Sequence, residues 1–178
     1  MKLLINTSEK YLSVGIMDNC NQIVAVDQNA SINSHVEDIL SIIQRILSAS
    51  EFSLKSISQV FIITSPGPRT SIRIGLSVAQ CIKLLINAEL FKISKFDIAY
   101  HSLREWKNYI IVFQENKQYY LISKVKNGVR GVIQRLHRKE VVNVSVNTNM
   151  IGQADIINTW LDISMNQFIR YVQNILLY

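Results

Sequence analysis

Residues 60–64, Val-Phe-Ile-Ile-Thr, form an apolar run without alternation, and Ser65-Pro66-Gly67-Pro68 stops it at once. A strand of that kind suits burial on both faces, in a sheet with helices packed on it. A long helix follows, predicted from about Ser71 to Asn87. Ile74, Val78, Cys81, Ile82, Leu85 and Ile86 recur on one side of it, together with Gly75 and Ala79. The two small residues let another backbone come close. Buried strand, Pro-Gly turn and long helix in succession predict an α/β protein.

Upstream, three strands are predicted at 2–6, 11–17 and 22–28, with an Asx-type turn at Asp18-Asn19-Cys20-Asn21. Ser34-His35-Val36-Glu37 has the pattern of a capping box and opens a helix over 34–47. Its Val36, Ile39, Leu40, Ile42, Ile43, Ile46 and Leu47 cover roughly 160° of arc at about 100° per residue. One sheet needs a stripe of somewhat more than about 100°. The excess means either a deep core or a second packing partner. On the later helix, Arg73, Ser77, Gln80 and Lys83 surround Leu76 and Leu84 on the face away from the main stripe. Leucines so placed suggest a packing surface.

The 178 residues allow one domain or two small lobes, and 48% hydrophobic with 18% charged residues is a globular composition. Cys20 and Cys81 stand far apart, and with three histidines in the whole chain they argue against a zinc site or disulfide framework. Cys81 reads as a small buried hydrophobe. No run approaches the ~18 apolar residues of a membrane helix, and the opening run is too short for a signal peptide. These features predict a cytoplasmic protein.

Beyond residue 90 the pattern predicts strands at 91–94, 109–113 and 119–126 and a short helix at 98–106. Asn127-Gly128 is a strong hairpin signal, returning through Val129 to Leu136. A further β-branched stretch covers 140–146, and helical spacing closes the chain over 153–177. Lys124, Lys126, Arg130, Arg135, Arg138 and Lys139 concentrate the positive charge, just after Tyr119 and Tyr120. That set either tracks an RNA backbone or is a solvated hairpin.

The segment from Ser65 to Leu76, Ser-Pro-Gly-Pro-Arg-Thr-Ser-Ile-Arg-Ile-Gly-Leu, resembles the GPGSFTGLRIG signature of the TsaB (YeaZ) family. Its motif-loop residues are Pro66, Gly67, Thr70, Arg73 and Gly75. Ser34-His35-Val36-Glu37-Asp38-Ile39-Leu40 resembles the family's H-S-E-x-L-L helix start. Ser53 to Ile57 resembles its S-L-x-D-I connector, and Leu4 to Ser8 its I-D-T-S opening. The resemblance is good over residues 34–88, fair over 3–30 and lost beyond about 100. It implies an actin/Hsp70-like ATPase (ribonuclease H-like) α/β fold with a mixed sheet. Residues 1–90 would form the first lobe with the partner-binding helices. Residues 91–178 would form a reduced second lobe with the hairpin and the C-terminal helix.

Catalytic members of the superfamily end the first strand in an Asp that helps hold a metal-nucleotide; this chain has Asn6. A neutral amide is a poorer ligand than a carboxylate for a hard divalent cation. The Pro-Gly loop opens a helix, which offers either an anion site on free amides or a tight turn for close packing, and Pro68 lacks one of the donors. His35 has no second histidine nearby, which suits a capping or interface residue. The expectation is a non-catalytic scaffold without a cofactor or metal, binding a TsaD-like catalytic subunit in threonylcarbamoyl transfer to the adenosine beside the tRNA anticodon. The resemblance nominates His35, Ile39, Ile42 and Ile46 on the first helix and Arg73, Leu76, Gln80, Lys83 and Leu84 on the second. A TsaE-like ATPase, a second copy of the chain and tRNA are further candidate partners. The rival readings are an ATP-dependent kinase-like enzyme and an RNA-binding module.

Overall fold

The computed structural model describes residues 1–9, 11–29, 35–115, 117–140 and 165–175. The chain divides into two compact units, Met1–Lys95 with Ile163–Tyr178, and Phe96–Asp162. The expected boundary at 90 therefore falls inside a strand, and the closing helix groups with the first unit rather than with the second.

In the first unit, β1 (Lys2–Asn6), β2 (Ser13–Met17), β3 (Ile23–Gln28), β4 (Gln59–Ser65) and β5 (Glu89–Ser94) form one sheet. Its order is β3-β2-β1-β4-β5. The first three strands pair antiparallel, whereas β4 runs parallel to β1 and β5 parallel to β4. Parallel neighbours need long crossovers, and the two helices supply them: α1 (His35–Ala49) before β4 and α2 (Arg69–Ile86) after it. Asp18 makes the expected turn, its Oδ1 accepting from the Gln22 amide at 2.8 Å, with Asn21 at φ 64°. The capping reading of Ser34 lies outside the described residues.

Leu3, Ile5, Val14, Ile16, Val60 and Ile62 join Ile39, Ile42, Ile43, Ile46 and Leu47 of α1 in one buried cluster. The intervening Leu4, Met17, Phe61 and Ile63 are buried as well, so β1, β2 and β4 are covered on both faces, whereas the edge strand β3 exposes Ile23, Val24 and Val26. The wide apolar arc of α1 is thereby explained: the helix packs on β2 and β3 and also on α2 of the same chain. Among the described residues of that arc, Leu40 at its margin is the exposed one, at 63%. Arg45 on α1 donates to Asp27 on β3 at 2.5 Å, and that hydrogen bond holds the Asp27 carboxyl below the usual carboxylate range. The predicted helix over 153–177 is described only as α4 (Met165–Ile175). It packs against β2, with Phe168, Ile169 and Val172 buried, and Gln173 Nε2 donates to the Asn21 carbonyl at 2.8 Å.

Helix α2 starts two residues earlier than its spacing predicts and ends on Asn87, a left-handed residue (φ 54°) whose amide donates to the Lys83 carbonyl. Its buried line is Gly75, Ala79 and Ile82, at i, i+4 and i+7. Cys81 and Leu85 (75%) are exposed, against expectation. The helix seats through its small residues, and that rotation turns both out to solvent. Gly75 has no room for a side chain. A Cβ there would lie 2.5 Å from Thr7 Oγ1, 2.8 Å from Thr7 Cγ2 and 3.1 Å from Ile62 Cδ1.

In the second unit, β6 (Tyr109–Gln114), β7 (Tyr119–Lys126), β8 (Val129–Arg130) and β9 (Gln134–His137) form an antiparallel sheet, with β8 and β9 both pairing with β7. Asn127 (φ 52°) and Gly128 (φ 76°) make the turn as their sequence predicts. The predicted helix at 98–106 is α3 (Lys95–Ser102). Tyr100 donates to the Gly128 carbonyl at 2.6 Å, and Tyr109 donates to the Tyr100 carbonyl at 3.3 Å. Burial pushes the Tyr109 phenol up to about 12, so it stays a neutral donor. The stretch 141–146 lies outside the described residues.

The Gly75 contact is testable. Gly75→Ala lowers stability by about 1–3 kcal/mol through overpacking, in spite of a helix-propensity gain of about 1 kcal/mol. Adding Thr7→Ala opens the space for the new methyl and recovers most of the loss. Urea unfolding of the two single variants and the double variant measures the coupling; additive losses would show that the two residues do not constrain each other.

Candidate functional site

The two helices leave a surface groove of about 400 Å³, lined by Ile39, Leu40, Thr70, Arg73, Ile74, Ser77 and Val78. Beyond it the outer face of α2 carries Arg73, Ser77, Gln80, Cys81 and Leu84, at i, i+4, i+7, i+8 and i+11, all exposed. Leu84 is 81% exposed, with Leu85 beside it. This is a polar stripe ending in two leucines, on the side of the helix opposite Gly75.

The structure divides the nominated partner residues. Arg73, Gln80, Lys83 and Leu84 are exposed on α2, as expected. Ile39, Ile42 and Ile46 are buried, none more than 3% exposed, so they belong to the core and not to a free surface. Leu76 is half-buried and packs against that same core rather than standing at the centre of a patch. His35 opens α1, and the reading of its side chain lies outside the described residues. Leu40 and Leu85 are the apolar groups missed on this face. Leu40 sits at the edge of the α1 stripe, so a slightly narrower stripe would have shown it.

The motif loop packs tightly. Pro66 is buried, and a Cβ on Gly67 would lie 2.8 Å from the Ser8 carbonyl oxygen. Thr70 and Arg73, one turn further on, border the groove. Pro66, Gly67 and Gly75 thus serve close packing, the second of the two readings of the loop.

Polar side chains gather where β1, β4 and β5 end. Asn6 is buried, and its Oδ1 accepts from the Ser8 amide at 3.0 Å and from Ser8 Oγ at 2.7 Å. Lys95, 5% exposed, donates from Nζ to the Ser8 carbonyl at 3.1 Å and forms an ion pair with Glu9. Thr7 Oγ1 is buried without a hydrogen-bond partner. The sequence reading missed Lys95 and Glu9. One signal was available: Lys95 opens a helix, where the dipole disfavours a cation. Among the described residues no group of three or more His, Cys, Asp or Glu could hold a metal ion.

The basic residues of the second unit do not form one surface. Lys124 and Lys126 are exposed on β7 two residues apart and so share a face. Arg130 pairs with Val125, and Arg135 with Leu121, which places both on the other face. Both arginines are also engaged internally. Arg130 bonds Asp97 at 2.6 Å and lies over Tyr100; Arg135 bonds Glu115 at 2.5 Å and stacks 3.8 Å over Tyr119. Arg138 and Lys139 follow β9 and are exposed.

Comparison with known proteins agrees with this architecture. Residues 26–114 match the family model described as TsaD, tRNA N6-adenosine threonylcarbamoyltransferase. The chain is 29% identical over 107 residues to the tRNA threonylcarbamoyladenosine biosynthesis protein TsaB of Buchnera aphidicola subsp. Schizaphis graminum, across 60% of this chain and 49% of that protein. It therefore spans about half the length of this curated relative. Among solved structures, YeaZ from Pseudomonas aeruginosa superposes with a TM-score of 0.61 at 17% identity, over 76% of this chain and 66% of that one. A second Pseudomonas aeruginosa structure, an uncharacterized protein with similarity to peptidase YeaZ, gives 0.60 at 17% identity, over 76% and 65%. At such identity these two likenesses bear on the fold, and the family follows from the matched sequence. The TsaD model matches half of this chain, and the chain belongs to that family; it is similar in sequence to a TsaB protein and in fold to YeaZ.

Proposed function

We propose that this chain is a non-catalytic subunit in the synthesis of tRNA threonylcarbamoyladenosine, and that it docks a TsaD-like catalytic subunit through the outer face of α2 and the neighbouring groove. One observation carries the reading: Leu84 and Leu85 stand 81% and 75% exposed at the end of a stripe that begins at Arg73, beside the groove. Exposed leucines in a row with polar neighbours are the composition of an interface rim around apolar anchors. Leu40, Leu84 and Leu85 supply apolar contact, while Arg73, Gln80 and Lys83 border it. The similarity to a TsaB protein of threonylcarbamoyladenosine biosynthesis, together with the TsaD model match, supports the choice of partner. At the strand ends, Asn6 already spends its carbonyl oxygen on Ser8, which supports a subunit without nucleotide chemistry of its own. A TsaE-like ATPase and a second copy of the chain are competing occupants of the same face.

Surface substitutions away from packed groups usually shift stability by no more than about 0.5 kcal/mol. Leu84→Glu and Leu85→Glu therefore leave the melting temperature of the chain nearly unchanged, yet weaken pairing with the TsaD-like subunit of the same organism about tenfold or more. Ile39→Ala does the reverse, losing about 2–5 kcal/mol of stability as a core truncation. Analytical ultracentrifugation of each variant, alone and mixed, with circular dichroism as the folding control, separates the two. Normal pairing by both glutamate variants would refute the proposed face. A homodimer lost together with the hetero-pair would show that both occupants use it.

The divided basic set gives a second expectation. Because its cations lie on two faces and two are internally paired, the isolated chain should not retain tRNA at near-physiological salt. Filter binding across a salt series tests this. Retention that Lys124→Glu with Lys126→Glu abolishes would restore the RNA-binding reading.

A further inference from the structure

Parallel α/β sheets bind ligands in the crevice outside the carboxyl ends of their strands, and the actin-like fold implies a metal-nucleotide there. The residues at those ends do not fit one. Continuing the registers Ile5↔Ile62 and Ser65↔Ser94 brings Ser8, Ser65 and Ser94 to one level, at the ends of β1, β4 and β5. Lys95 is the next residue after β5, and Ser8 and Glu9 follow β1, with β4 between the two strands. Adjacent strands lie about 4.8 Å apart, so Lys95, in reaching Ser8 and Glu9, lays its stem across the end of β4. The ammonium there is 3.1 Å from the Ser8 carbonyl and paired with the Glu9 carboxylate, in a side chain only 6% exposed. Gly67 of the motif loop presses on the same Ser8 carbonyl, and Asn6 is turned onto Ser8.

We propose that Lys95 is a built-in cation that bars the strand-end crevice: paired with Glu9, it ties β5 to β1 across β4 and holds the Thr7–Glu9 turn in the position a bound metal-nucleotide would otherwise organise. The ammonium supplies the positive charge, and the Glu9 carboxylate is spent on it instead of on an external cation. Ser8 is the shared element. Its carbonyl receives Lys95 and abuts Gly67, so the bar also fixes the loop that opens α2. The proposal rests on strand-end geometry alone and does not depend on the identity of the partner at the α2 face.

Hydrogen–deuterium exchange on the whole chain tests it. In Lys95→Met, the amides of residues 6–9 and those of Ser65 and Gly67 should exchange about tenfold faster or more, while β2 and β3 keep their protection. Glu9→Gln should give the same pattern, and it serves as the informative variant if Lys95→Met does not fold. Lys95→Arg keeps the cation and should exchange close to the parent. Calorimetric titration of the parent with Mg-ATP should give no saturable heat. Parent-like exchange in both Lys95→Met and Glu9→Gln would overturn the bar. Saturable Mg-ATP binding that slows those same amides would overturn it as well. Pairing with the TsaD-like subunit, measured separately, bears only on the α2 face.

Discussion

The placement of α2 depends on one close approach, between Gly75 of the helix and Thr7 at the end of β1. A helix backbone seats there with no Cβ in between, since one would lie 2.5 Å from Thr7 Oγ1. The contact leaves that hydroxyl buried and unsatisfied, a penalty of about 1–3 kcal/mol. In return the helix sits deep on the sheet, with Ala79 and Ile82 following Gly75 into the core. Everything on the opposite side of α2 is turned outward by the same rotation. Arg73, Gln80 and Leu84 face solvent because Gly75 faces β1.

Seen from the strand ends, the motif loop is a packing device before it is a binding device. Gly67 closes on the Ser8 carbonyl much as Gly75 closes on Thr7, so two glycines of one motif secure consecutive residues of the β1–β2 connection. The polar groups around them are mutually satisfied: Asn6 with Ser8, and Lys95 with Ser8 and Glu9. Buried polar groups are affordable only when so paired. Asn29 plays a similar part at the same end of the sheet, beside β2 and β3, exchanging hydrogen bonds with Leu12 and donating to Asp38 at the start of α1.

Charge in the second unit illustrates why proximity in sequence is a poor guide to a surface. Six cations within sixteen positions look like one basic patch when read along the chain. In a strand, neighbours point to opposite faces, and a hairpin pairs each cation with a residue of its own face. Lys124 and Lys126 are thereby separated from Arg130 and Arg135. The two arginines are held by Asp97 and Glu115, carboxylates 33 and 20 residues away in the chain.

The sequence by itself determined the elements of the first unit and their order. Unbroken apolar runs, an Asx turn and a Pro-Gly stop are local signals, and strands at 2–6 and 60–64 and a long helix from the motif loop follow from backbone chemistry within a few residues. The Asn127-Gly128 hairpin is legible for the same reason, since its turn demands positive φ at both positions. Tertiary structure alone decided which apolar residues were core and which were surface. Ile39, Ile42 and Ile46 became core because α1 packs on α2 as well as on the sheet, whereas Cys81 and Leu85, on the apolar side by spacing, were turned out when α2 rotated to seat Gly75. Periodicity gives the width of an apolar stripe but not the number of neighbours that will cover it. Lys95 shows the same limit for charge: its partners lie 86 and 87 positions away in the chain, and only the parallel register of β1, β4 and β5 brings them to one end of the sheet.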